Sequence, residues 1–205
     1  MKRIGVGVIG WGFMGRTHTH SLRAIPLFYQ GLDFEPALAG VCSRRLEKAK
    51  EAQEQLGFGF ATDDYHALLA REDVDVVSIC TPNAMHEQMA IDAMRAGKHV
   101  YLDKPVAVTA EAAERMLRVQ RETGVKCQVV LNNRFFPSTM RAHQLIEAGR
   151  LGEILSFTCR YLHSGSVDPN RAMGWKQGLE GGVLLDMGSH ALDLLTWLLG
   201  LPEEV

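Results

Sequence analysis

Five short apolar runs punctuate the first 130 or so residues: Ile4–Ile9, Ala37–Cys42, Val74–Cys80, Val100–Leu102 and Val125–Leu131. Each is mostly aliphatic or β-branched and apolar at successive positions, which is how a parallel strand covered on both faces reads. Between them, residues 14–26, 45–56, 63–70, 84–96 and 109–123 read as helices. Gly57, Gly97 and Gly124 stand just past three of these, where helices commonly end. Strand–helix alternation on this scale predicts a doubly wound α/β domain over residues 1–131.

The rhythm changes at residue 132, where a second domain (132–205) is expected to begin. Residues 137–149 read as a helix ending at Gly149, and Ile154–Leu162 alternates like a strand with one polar face. Residues 163–182 are rich in Gly and Ser and read as a long loop, a length more often functional than average. Val183–Leu199 reads as a strongly apolar helix, followed by Gly200 and Pro202. One strand cannot cover such a helix, since a stable sheet needs three strands or another element. The chain therefore reads as the front part of a longer protein, with an open α/β second domain left incomplete at Val205.

Composition narrows the classes. With 205 residues, 46% hydrophobic and 22% charged, the chain is globular rather than disordered, collagen-like or coiled-coil. A net charge of -2 supplies no basic field for nucleic acid or anionic lipid. No apolar window reaches membrane-spanning length, and the Met1–Ile4 start is broken by Gly10–Gly12 before a signal peptide could form. Cys42, Cys80, Cys127 and Cys159 fit no CxxC pair or zinc knuckle. They read as buried, inert thiols of a cytoplasmic protein.

The first strand ends in Gly10-Trp11-Gly12-Phe13-Met14-Gly15, a GxGxxG that opens the first helix. The first glycine permits a tight turn, the second lets backbone approach a pyrophosphate, and the third lets helix and strand pack closely. N–H groups at the helix start then bind the anion. Strand before, helix after and α/β alternation around it together predict a dinucleotide site. The second strand ends in Cys42-Ser43-Arg44-Arg45, without the carboxylate that would bond both ribose hydroxyls of NAD. Ser43 and Arg44 can instead hold a 2′-phosphate, which favours NADP over NAD.

Three further clusters follow: Thr81-Pro82-Asn83-Ala84-Met85-His86, Gly97-Lys98-His99-Val100-Tyr101-Leu102-Asp103-Lys104-Pro105, and Gly181-Gly182-Val183-Leu184-Leu185-Asp186-Met187-Gly188-Ser189-His190. With the glycine loop, they resemble the Gfo/Idh/MocA family of NAD(P)-dependent sugar and polyol oxidoreductases, from residue 4 to about residue 200. The resemblance implies a Rossmann domain followed by an α/β domain with a large open sheet, through which members associate as homo-oligomers. It implies that Lys104 is the active-site lysine of a Glu-Lys-Pro motif, here with Asp103 in place of Glu, and that Asp186 and His190 are the acid–base pair. It also implies that Thr81, Asn83, His86 and Asp103 lie near the cofactor and that Trp175 stacks on a sugar ring. Core packing is the plain alternative for Trp175, and capping of a helix for Asn83.

The chemistry can also be argued from residue types. Asp186 and His190 are four apart on a helix and share a face, with Asp193 three further on. A hydride leaves a carbinol carbon only if the hydroxyl proton also leaves, and histidine is the usual acceptor. A lysine beside the oxygen stabilises developing negative charge. His190 is thus the candidate general acid/base, Lys104 the hydrogen-bond donor, and Asp186 a substrate anchor or a partner of His190. Asp193 is a candidate to orient His190 from behind. Arg134, in Asn132-Asn133-Arg134, either meets substrate or ties structure together, and His18 reads as a packing residue. One His and two Asp on one helix lack the second His or Cys that a zinc site needs. The expected activity is oxidation or reduction of a small sugar or polyol. A glycosidase using bound NAD, or a dinucleotide-sensing module, remain the alternatives.

Overall fold

The structure, a computed structural model, describes residues 1–162, 164, 167, 168, 178 and 181–204. The chain divides into two compact units, Met1–Val130 and Leu131–Val205.

The first unit is a six-stranded parallel sheet. Its strands are β1 (Lys2–Ile9), β2 (Phe34–Cys42), β3 (Ala61–Thr62), β4 (Val76–Ile79), β5 (His99–Leu102) and β6 (Cys127–Val129). The helices are α1 (Phe13–Phe28), α2 (Leu46–Leu56), α3 (Tyr65–Leu69), α4 (His86–Arg95) and α5 (Ala110–Thr123). The strand order β3-β2-β1-β4-β5-β6 is that of a Rossmann sheet, with the direction of winding reversing between β1 and β4. Ligands of such sheets bind at that reversal, beyond the carboxyl ends of the strands.

Alternation of strand side chains builds two cores. Val8 and Val41 pack with Ala49, Ala52 and Phe58 beneath α2. Ile9, Val77, Ile79, Val100 and Leu102 pack with Leu68, Met94, Met116 and Val119 from α3, α4 and α5. Burying each such aliphatic side chain contributes about 1.5–3 kcal/mol. Ser78 pairs with Val8 across the β1–β4 ladder, so it breaks the apolar pattern on Val8's face. β3 was not anticipated by the hydrophobic pattern, because its ladder is only two residues long. The residues expected to form the helix at 84–96 instead begin with a 3-10 turn, Asn83–Met85, before α4.

Among the described residues, the second unit holds a 3-10 turn (Asn132–Phe135), α6 (Pro137–Glu147), a π-helical turn (Leu184–Gly188) and α7 (Ser189–Leu199). The expected strand at Ile154–Leu162 is absent, and those residues are exposed. A strand needs a neighbour to take its backbone hydrogen bonds, and no ladder partner lies beside this segment among the described residues. Its alternating pattern is therefore present without the structure it usually signals. Val183, Leu184 and Leu192 are exposed, so the apolar face of the last helix is only partly covered. No helix among the described residues is long and apolar enough to cross a membrane.

Candidate active site

The glycine turn gives each of its glycines a distinct reason. Gly10 adopts φ +99°, which side chains rarely tolerate, and its amide donates to the Cys42 carbonyl (2.9 Å). A Cβ on Gly15 would lie 2.0 Å from the Gly10 carbonyl oxygen, so only glycine lets α1 come this close. A Cβ on Gly12 would meet nothing within 4 Å. The backbone there faces open space, and no side chain caps the start of α1. A bare helix start beside an open glycine is a cradle for a pyrophosphate. Phe13 is 81% exposed and Met14 half-buried at the mouth of this turn.

The loops that follow β4 and β5 lie at the carboxyl edge of the sheet, where ligands of such folds bind in a crevice. The Thr81 hydroxyl, just past β4, is buried without a hydrogen-bond partner among the described residues. A buried polar atom in that state calls for a ligand or water group. The open glycine and this hydroxyl both fit a dinucleotide. Ser43 is half-buried and Arg44 exposed just past β2, where an adenine ribose of such a ligand would lie. Asn83 is buried in the 3-10 turn. It is not the cap of α4, whose cap position is Met85.

Two expected cofactor contacts are differently engaged. His86 is fully buried, with Nδ1 2.8 Å from the Pro105 carbonyl and Nε2 3.0 Å from the Thr81 carbonyl. Both ring nitrogens face backbone, so the ring underlies the crevice rather than lining it. Asp103 is also buried, and its carboxylate accepts from the Lys104 amide (2.8 Å). The shorter acid thus folds back on the chain and steadies the backbone of Lys104, a half-buried residue.

His18 is more than packing. It reaches from α1 to the end of β4, where Nδ1 lies 2.8 Å from the Ser78 hydroxyl and 3.2 Å from the Cys80 thiol. Its ring tilts against Tyr101 at 5.3 Å, and Nε2 is buried without a hydrogen-bond partner among the described residues. Burial pushes its pKa down, against the opposing pull of Asp103. Burial likewise raises the Cys80 thiol to about 12. The sequence signal for this cluster was the polar Ser78 inside an apolar run; the partner 60 positions away had none.

In the second unit, His190 is buried at the start of α7, its ring stacked near that of Tyr161 at 6.0 Å and 17°. Asp186 sits half-buried in the π-helical turn just before it. Single π turns often occur at functional sites. Asp193 does not serve His190 as expected: both its oxygens accept from Nε of Arg134 (3.0 and 2.8 Å), and Arg134 Nη2 adds a further contact. Arg134 also lies over the Trp197 ring, and the ion pair raises its pKa. Arg134 therefore ties the 3-10 turn to α7. The sequence carries no signal for Tyr161 here, since its run alternates like an ordinary strand. Trp175 lies outside the described residues.

The profile of an oxidoreductase family with an NAD-binding Rossmann fold, GFO_IDH_MocA, matches residues 4–131. The GFO/IDH/MocA C-terminal domain matches residues 139–205. Levoglucosan dehydrogenase from Pseudarthrobacter phenanthrenivorans is 35% identical over 203 residues, 98% of this chain and 52% of that protein. D-glucoside 3-dehydrogenase from Escherichia coli is 35% identical over 165 residues, 80% of this chain and 47% of that protein. A solved levoglucosan dehydrogenase in complex with NADH and L-sorbose superposes with a TM-score of 0.93 at 34% identity, covering 98% of this chain and 54% of that one. The chain spans about half the length of the curated relatives it matches.

Proposed function

Because the chain belongs to the Gfo/Idh/MocA oxidoreductase family, we propose that the full protein is an NAD(P)-dependent dehydrogenase or reductase acting on a CH–OH group of a sugar, polyol or related compound. The observation that carries this reading is the glycine turn, with its open face at Gly12 beside the buried, unpartnered Thr81 hydroxyl. The relatives named as dehydrogenases of levoglucosan and of D-glucosides support the substrate class.

Gly10, Gly12, Phe13, Met14 and Gly15 would hold the pyrophosphate end of a dinucleotide, with Thr81 and Asn83 beside it. A bound nicotinamide supplies the hydride acceptor or donor. Lys104 donates a hydrogen bond to the reacting oxygen and stabilises the negative charge that grows there. His190 takes the hydroxyl proton on oxidation and returns it on reduction. Asp186 anchors the substrate or partners His190, and Trp175 provides a face for a sugar ring. Ser43 and Arg44 favour NADP over NAD, since no carboxylate stands at the end of β2. All four cysteines are free thiols, which fits a reducing compartment such as the cytoplasm. The full protein is further proposed to form homo-oligomers.

The test incubates full-length protein with NAD or NADP and levoglucosan, methyl glucoside or myo-inositol, following nicotinamide absorbance. Reduction is expected with at least one sugar, and Lys104→Ala and His190→Ala should each lose about 100-fold or more in kcat. Hydrolysis of an aryl glycoside without net reduction would favour the glycosidase. Nucleotide binding with silence on every substrate would favour a sensor. Arg44→Ala should weaken NADP binding far more than NAD binding; equal losses would refute the phosphate role.

A further inference from the structure

The geometry points to His86 as a positioning residue, one that sets the gap between the two loops at the mouth of the crevice and so the place of Lys104. This inference rests on the assignment of Lys104 above. β4 and β5 pair as far as Ile79 and Leu102. One further backbone bond, from the Asp103 amide to the Ile79 carbonyl (2.9 Å), continues the ladder. Past that bond the strands give way to separate loops, Thr81–Pro82 and Lys104–Pro105, whose spacing the ladder no longer fixes.

His86 bridges them. Its ring is 0% exposed, with Nε2 3.0 Å from the carbonyl of Thr81 and Nδ1 2.8 Å from the carbonyl of Pro105. Carbonyl oxygens only accept, so each contact is a hydrogen bond only where the ring nitrogen carries a proton. A neutral imidazole donates from one nitrogen, so the ring hydrogen-bonds one of the two loops and packs against the carbonyl of the other. Leaving the buried Pro105 carbonyl unmatched costs about 1–3 kcal/mol, which gives the ring a reason to stay lodged between the two loops. Lys104 is then pinned on both sides: Asp103 accepts from its amide, and His86 holds the carbonyl of the residue after it. The ammonium of a flexible side chain is only as well placed as the backbone that carries it.

Two measurements on the full-length protein test this. In 15N-histidine-labelled wild type, His86 is expected to show a ring N–H signal that is slow to exchange and is lost in His86→Gln. Absence of any slowly exchanging ring N–H overturns the bridge, whatever the enzyme does. In turnover with whichever of levoglucosan, methyl glucoside or myo-inositol is oxidised, His86→Phe is expected to lower kcat at least about tenfold. The sugar KM and the affinity for NADH should stay within about twofold, and the change should add nothing in a Lys104→Ala background. Losses that add beside an impaired Lys104→Ala mark a merely structural histidine and overturn the positioning role alone. If Lys104→Ala is as active as wild type, the assignment of Lys104 falls first and the positioning role with it.

Discussion

At the scale of single residues, the three glycines of the turn make separable predictions. Gly12→Ala adds a methyl to open space in an extended backbone (φ -97°), so the protein should melt within a degree or two of wild type. The same methyl would occupy the proposed pyrophosphate cradle, so NADH affinity should fall at least about tenfold in a fluorescence titration. Gly15→Ala drives its methyl onto the Gly10 carbonyl and should cost at least about 2 kcal/mol of stability in urea unfolding. Equal effects of the two substitutions on melting would contradict this division of labour. The tight turn at Gly10 and the close packing at Gly15 were legible because strand, turn and helix are consecutive, whereas the approach of Gly10 to the Cys80 carbonyl was not. The His18–Ser78–Cys80 cluster was not legible, since it forms only when α1 crosses β4. Its pH behaviour is nevertheless predictable. The folded ring takes up a proton less readily than the ordinary value of 6.5. Protonation then favours the unfolded chain, so stability is full above about pH 6.5 and declines as pH falls below it. Urea midpoints at pH 7.5 and 5.5 should diverge less in His18→Gln than in wild type.

At the scale of elements, long-range charge pairing overrode helical spacing. The four- and three-residue intervals put Asp186, His190 and Asp193 on one side of a helix, yet the carboxylate of Asp193 is claimed by Arg134 from a turn 59 positions earlier. The Asp193 side chain is 7% exposed and that of Arg134 34%. Arg134→Ala would strand a buried carboxylate and should cost about 2–4 kcal/mol, less than a fully enclosed pair would because Arg134 reaches solvent. Arg134→Lys should recover only part of this, since lysine lacks the guanidinium fork; complete recovery would make the bidentate geometry irrelevant. The strand misread at Ile154–Leu162 has a related cause. Alternation reports which side chains could face a core, but the ladder depends on a neighbour elsewhere in the chain. The exposed Cys159 in that segment departs from the buried thiol expected there, whereas Cys42 is buried and its thiol is raised to about 12 by that burial. Iodoacetamide at pH 8 should therefore label Cys159 and spare Cys42, with the two modified peptides distinguished by mass spectrometry. Labelling of Cys42 at a comparable rate would show that the α2 core opens readily.

At the scale of the molecule, the Rossmann sheet was readable from the near-continuous apolar strands at its centre, β1 and β4. Their burial on both faces leaves a pattern that needs no partner information, although β5 departs from it, with Tyr101 exposed between buried Val100 and Leu102. The second unit was less readable, since its apolar helix and alternating segment each require neighbours to define them. The central proposal is that the full protein handles the proton of a CH–OH group with Lys104 and His190. The most direct measurement is a crystal structure of the full-length protein with NADH and an oxidisable sugar. The account predicts Lys104 Nζ and a ring nitrogen of His190 both within about 3 Å of one sugar oxygen, with its carbon facing the nicotinamide. A sugar bound elsewhere, or those two side chains on opposite sides of the molecule, would contradict it.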